Sequence, residues 1–238
     1  MGLPDVVYLC GPRVGDELRY SLRSLVNLPH RQVWLAGHIP KWVRDVGTIP
    51  VKQHPAKKWH NQNANLLAAA SHPEVSERFV LFNDDFFVME PVDEVPVWHR
   101  GPFTDALLAR FASPRSGNYG HRMRETADLI GRDQYSYELH VPLPMVKWKT
   151  KITVESMPED LLFRSIYGSD WQIGGVEHED VKVKADDRRP DGPFVSTSDT
   201  SFRSRPVGKR IRRQFREPGR YELERPRESV RQSRTAAR

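Results

Sequence analysis

Phe79-Val80-Leu81-Phe82-Asn83-Asp84-Asp85-Phe86-Phe87 is the stretch on which the fold turns. Four apolar residues make a strand that is buried on both faces. Two adjacent carboxylates follow, and aromatics close the segment. Buried carboxylates must be matched by cations, a metal or protons, so hydrophobic strands rarely end in paired acids. The pair reads in two ways. It is an acidic turn, since Asn and Asp are favoured turn residues, or it is a strand end that carries a divalent cation and its phosphates. The apolar flanks on both sides weigh against a solvated turn.

Working outward, strand and helix signals alternate. Asp5-Val6-Val7-Tyr8-Leu9-Cys10 reads as a first buried strand, followed by turn residues Gly11-Pro12-Arg13-Val14-Gly15. Asp16 stands as a cap, and Leu18, Leu22, Leu25 and Val26 recur at helical spacing. Residues 32–36 read as a second strand, 43–51 as a third, and a second helix starts near Gln62 or Asn63. Residues 78–82 return to strand. This alternation predicts an α/β three-layer sandwich with a mostly parallel sheet, in which ligands bind beyond the carboxyl ends of the strands. Further on, 107–111, 122–130 and 159–167 read as helices. Residues 137–144 read as extended because each proline disfavours helix before it, 182–193 as loop, and 194–197 as a last strand.

Composition bounds the rest. The chain has 238 residues, 38% of them hydrophobic, and a net charge of +6. Residues 203–238 hold 13 Lys and Arg against 4 acids, leaving a net −3 on residues 1–202. The basicity is terminal, which argues against nucleic acid as the main partner. The expected organisation is a single domain over 1–222 and a basic, disordered tail over 223–238. The chain has no apolar run long enough for a membrane span, no visible signal peptide and one cysteine, so it reads as a soluble cytoplasmic protein.

Several other groups carry chemistry in one reading and structure in another. His140 is a rim histidine or a general base. Arg164 is a helix-surface cation or a bidentate phosphate clamp. Residues 60–65, rich in Asn, are helix capping or an anion-binding helix start. Trp34, Trp42 and Trp59 are core or sugar-stacking platforms.

Taken in order, these segments resemble the Stealth family of sugar-1-phosphate transferases, which includes bacterial capsule polymerases. Glu17-Leu18-Arg19-Tyr20-Ser21-Leu22-Arg23-Ser24 is similar to its "LRYSLRS" signature. Ile39-Pro40-Lys41-Trp42, Asn61-Gln62-Asn63-Ala64 and residues 79–87 resemble its "xPxW", "NSNA" and "FLYLNDDFF" segments. Residues 139–142 resemble its "HxP" region, 163–165 its arginine-bearing helix, and 194–199 with 215–222 its closing region. Cys10-Gly11-Pro12-Arg13 departs from the family's opening Trp and Asp.

The resemblance implies a GT-A/Rossmann-like nucleotide-sugar transferase core and a uridine-linked nucleotide-sugar donor. It implies transfer of hexose-1-phosphate to a hydroxyl on a glycan or glycoconjugate. It assigns Asp84, Asp85, His140 and Arg164 to catalysis, with Mg2+ or Mn2+ on Asp84 and Asp85. It assigns Asp5, Arg13, Arg19, Arg23, Asn61, Asn63 and Asn83 to substrate binding, with bracing of the helix against acids as the alternative for Arg19 and Arg23. Two other readings stand beside it. One is a metal-dependent GT-A glycosyltransferase that releases nucleoside diphosphate. The other is a non-catalytic carbohydrate- or nucleic-acid-binding protein.

Overall fold

The computed structural model describes residues 2–12, 15–113, 117–184 and 192–223. Arg13 and the tail from 224 lie outside the described residues. Five strands form the central sheet: β1 (Asp5–Cys10), β2 (Val33–Gly37), β3 (Gly47–Pro50), β4 (Arg78–Phe82) and β7 (Leu143–Val146). Their order is β3-β2-β1-β4-β7, parallel except for β7, which runs antiparallel to β4. The chain therefore builds a mixed α/β fold with a mostly parallel sheet.

The alternation within β1 places two cores. Val6, Tyr8 and Cys10 join Leu18, Leu22 and Leu25 on the side of α1 (Asp16–Ser24). Val7 and Leu9 join Leu66 and Ala69 of α2 (Lys58–Ser71) on the opposite face. Phe163 and Tyr167 of α6 (Phe163–Asp170) pack on that face too. The period-2 alternation of a strand has thus sorted an uninterrupted apolar run into two faces. Helices α1 and α2 lie on opposite sides, and β1 and β4 sit where the strand order reverses. Their carboxyl ends open the crevice at which such sheets bind ligands.

A second sheet frames that crevice: β5 (Phe86–Val88), β10 (Phe194–Thr197) and β9 (Lys182–Val183), in the order β5-β10-β9. A short pair, β6 (Trp98–His99) with β8 (Val176–Glu177), lies apart. The remaining helices are α3 (Asp105–Ala109), α4 (Asn118–Ile130), α5 (Lys147–Ser156), α7 (Asp199–Ser204) and α8 (Pro206–Gln214).

Several boundaries differ from the sequence expectation. α2 begins at Lys58, four residues before Gln62, so the asparagine cluster lies inside the helix. The reason is Asn61, whose Oδ1 accepts from His54 N at 2.7 Å and whose Nδ2 donates to His54 O at 2.7 Å. That pair fastens the incoming loop, a role capping statistics do not anticipate. The helix expected over 159–167 starts only at Phe163, after a turn closed by Leu161 N to Pro158 O. The loop expected over 182–193 opens with β9, while 185–191 lie outside the described residues.

Candidate active site

Beyond the ends of β1 and β4 lies a cleft of about 1030 Å³. Asn83, Asp84 and Asp85 occupy the turn between β4 and β5, with Phe86 N donating back to Asn83 O at 3.3 Å. The acid pair thus sits in a turn, and that turn faces the cleft.

The two carboxylates differ. Asp85 is anchored, its Oδ2 accepting from Lys182 Nζ at 2.6 Å and Ser196 Oγ at 3.1 Å. Asp84 has no ion pair among the described residues. Burial, then the charge of Asp85, pushes its carboxyl up to about 6, against the pull of Lys182 and Lys58. Glu17, from the first turn of α1, lines the same cleft and accepts from Thr197 Oγ1 at 2.7 Å. Burial raises Glu17 to about 7. The Thr197 hydrogen bond opposes the rise, and the charges of Asp85, Asp199 and Asp84 add to it.

His140 and Arg164 line the same cleft. His140 Nδ1 meets Asp180 Oδ2 at 2.8 Å and Oδ1 at 3.1 Å, and its backbone N donates to Asp180 Oδ1 at 3.1 Å. Arg100 Nη2 donates to Asp180 Oδ2 at 2.6 Å. Burial alone would raise Asp180. The His140 hydrogen bonds and the Arg100 charge outweigh it and hold the carboxyl far below its usual range. A fixed carboxylate on Nδ1 orients the ring and leaves Nε2 as its working nitrogen.

Arg164 is 7% exposed. Its Nη1 donates to Leu139 O at 2.9 Å and Val141 O at 2.7 Å, the carbonyls of the two residues flanking His140. Its Nη2 is buried without a hydrogen-bond partner among the described residues. Burial lowers its pKa, partly offset by the charges of Glu138, Asp85 and Asp180, none of them in direct ion-pair contact. A buried guanidinium with an orphaned N–H is costly unless an anion completes it.

The structure therefore brings Asp84, Asp85, His140 and Arg164 to one cleft, with Asn61 and Asn83 on its wall. It places the other assigned residues elsewhere. Asp5 is fully buried at the amino end of β1, roughly 16 Å of strand from Cys10. There it accepts from Arg31 (2.6 and 2.8 Å), Trp34 Nε1 (2.9 Å) and Ser76 N (2.8 Å). Arg19 and Arg23 point to Glu222, not to the cleft. Asn63 donates to Glu159 O at 3.1 Å. Each of these four is occupied in holding segments together. Sequence reasoning missed Asp180, Glu17 and Lys182, which lie far along the chain from the residues they serve.

Asp84 suits Mg2+ or Mn2+, and Asp85 would add only Oδ1, since its Oδ2 is paired with Lys182. The donors are hard oxygens, Asp84 makes no ion pair among the described residues, and such ions take few protein ligands and fill their shell with water and phosphate. No group of three or more His, Cys, Asp or Glu gathers among the described residues. The protein would thus supply two carboxylates and the substrate the remaining oxygens.

No family model and no curated protein matches the chain. Among solved structures, the apo-form glycosyltransferase GlyE of Streptococcus pneumoniae TIGR4 is similar over 75% of this chain and 45% of its own, at 10% identity and a TM-score of 0.30. The chain thus spans less than half the length of that structure. The functional reading rests on the cleft itself.

Proposed function

We propose that the protein transfers hexose-1-phosphate from a nucleotide sugar to a hydroxyl on a glycan or glycoconjugate, releasing nucleoside monophosphate. The observation that carries this is Arg164. One of its nitrogens fixes the peptide carbonyls on both sides of His140, and another is left without a partner among the described residues. In this reading Arg164 is a phosphate-seeking cation and His140 a general base, and the bonds to the flanking carbonyls hold them at a fixed separation. That is the pairing needed for attack on phosphorus, where catalysis is mostly positioning and charge stabilisation.

In this reading the acceptor hydroxyl approaches the sugar-proximal phosphorus, and His140 Nε2 takes its proton. The new O–P bond forms as the P–O bond to the nucleoside phosphate breaks, and the monophosphate leaves with the electron pair. Asp180 stabilises the imidazolium that results. Arg164 Nη2 shares the negative charge that builds on the phosphoryl oxygens. A divalent cation on Asp84 and Asp85, when bound, neutralises the diphosphate. The ordered likeness to the Stealth family supports the same chemistry.

The test is to incubate the protein with a panel of nucleotide sugars, Mg2+ or Mn2+ and hydroxyl acceptors, and to identify the nucleotide released. Monophosphate supports phosphotransfer. Diphosphate reassigns the cleft to glycosyl transfer, and release of neither with any donor sets both aside.

A further inference from the structure

Three tryptophans are ambiguous in the sequence, and the structure separates them. Trp34 is buried on β2, and its Nε1–H is spent on Asp5. Trp42 is covered by Arg19, whose guanidinium carbon lies 4.1 Å from the ring centroid, and it packs against the α1-side core. Trp59 is different. It is half-buried in the first turn of α2 and lines the cleft.

The Arg122 guanidinium carbon lies 3.5 Å from the Trp59 ring centroid. Arg122 is itself 5% exposed, tied by Nε to Asp160 O and by Nη2 to Leu161 O. The indole thus rests on a cation that cannot move away. Lys58 Nζ lies 5.2 Å from the same centroid and acts electrostatically on Asp84. The Trp59 Nε1–H makes no hydrogen bond among the described residues, as is also true of Trp42, but unlike Trp42 the Trp59 ring lines the cleft. An indole that only filled a core would be covered rather than left half-buried at a cleft wall. One held rigid at a polar cleft wall offers a flat surface at little entropic cost to a ligand ring.

We propose that Trp59 is the platform on which the nucleobase of the donor stacks, with the diphosphate running past Lys58 toward Asp84 and Arg164. This deepens the proposed function by assuming a nucleoside diphosphate donor, but it does not depend on which donor bond is broken.

Calorimetric titration of the whole protein with UDP and with inorganic pyrophosphate, both with Mg2+, tests it. Wild type should bind UDP at least about tenfold tighter than pyrophosphate, and Trp59→Ala should lose on the order of tenfold for UDP, as expected of one base–aromatic stack. Pyrophosphate affinity of Trp59→Ala should match wild type, which also shows that the cleft is intact. Trp59→Phe, which keeps a ring, should recover most of the UDP affinity. Equal wild-type affinities for the two ligands, or a Trp59→Ala variant that binds UDP as wild type does, overturns the platform alone. A wild-type protein that binds neither ligand overturns the phosphate reading of the cleft along with it.

Discussion

Glu222 offers the sharpest test of how Arg19 and Arg23 are used. Its carboxylate is 3% exposed and receives Arg19 Nη1 at 2.5 Å, Arg23 Nε at 2.5 Å and Nη2 at 2.9 Å, and Gly219 N at 3.1 Å. The arginine side chains are only 13% and 9% exposed. The cluster ties α1 to the segment after α8, nearly two hundred residues away. Glu222→Gln keeps the shape and removes the charge, leaving two nearly buried guanidiniums facing an amide that can accept through one atom only. Breaking one partner of a buried pair costs about 3–5 kcal/mol. The lower end applies here, because Arg23 keeps the carbonyls of Phe215 and Arg216 and Arg19 keeps its stack on Trp42. About 3 kcal/mol corresponds to a thermal midpoint lowered by roughly 6–12 °C for a chain of this size. Thermal and urea unfolding followed by circular dichroism measure it.

The pH dependence gives that test a second arm. Burial works against the Glu222 charge, but the hydrogen bonds from Arg23 and Arg19 prevail and hold its carboxyl below the ordinary value of 4.5. A folded pKa below the unfolded one contributes stability that is complete above the unfolded value and is lost as pH falls through the folded one. The gap between wild type and Glu222→Gln should be constant from neutral pH down to about 4.5 and then close. A loss under about 1 kcal/mol, the size of an exposed ion pair, or a gap that persists in acid, would refute the reasoning.

Two further outcomes follow from the cleft. Asp84→Asn should abolish transfer yet raise stability at pH 7 by about 3 kcal/mol, because wild type there lies above a folded pKa of about 6 and carries a buried charge that is unfavourable. The gain should vanish below the ordinary carboxylate value of 3.8, and Mg2+ should raise the unfolding temperature of wild type but not of the variant. His140→Ala and Asp180→Asn should each lower kcat by about 10²–10⁴-fold. If the two act as one unit, the double variant is no slower than His140→Ala alone, and multiplying losses in steady-state assays would separate them.

The sheet was legible because its central strands are unbroken apolar runs. Residues 6–10 and 79–82 have no polar interruption, so their burial on both faces could be read locally. The start of α2 was not legible, because Asn61 advertises capping chemistry while its side chain is spent on the backbone of His54. In the cleft, the acids announced themselves through their apolar flanks. Asp180 had no such signal: it sits in a charged run, and only the fold carries it to His140 across 40 positions. Arg19 and Arg23 show what a motif leaves open, since the sequence allows them either a site role or a bracing one. A motif fixes which residues recur, but an arginine in a motif serves equally well as a brace, and Glu222 is what makes these two braces.

The charge pattern of the cleft carries one last consequence. Asp84 and Glu17 are held at about 6 and about 7 by burial and by each other's neighbours, while Asp85 is already neutralised by Lys182. In the same cleft, Arg164 keeps an unspent N–H and makes no direct ion pair among the described residues. The cleft is therefore unsatisfied in two opposite senses: an excess of negative charge from β4 and α1, an incompletely paired cation from α6. A ligand that is purely anionic would satisfy Arg164 and worsen the repulsion at Asp84. A lone cation would relieve Asp84 and leave Arg164 as it is. Only a bound pair, a phosphate together with its cation, settles both. The two should consequently bind with positive coupling, the affinity for UDP rising with Mg2+ by the same factor as the affinity for Mg2+ rises with UDP.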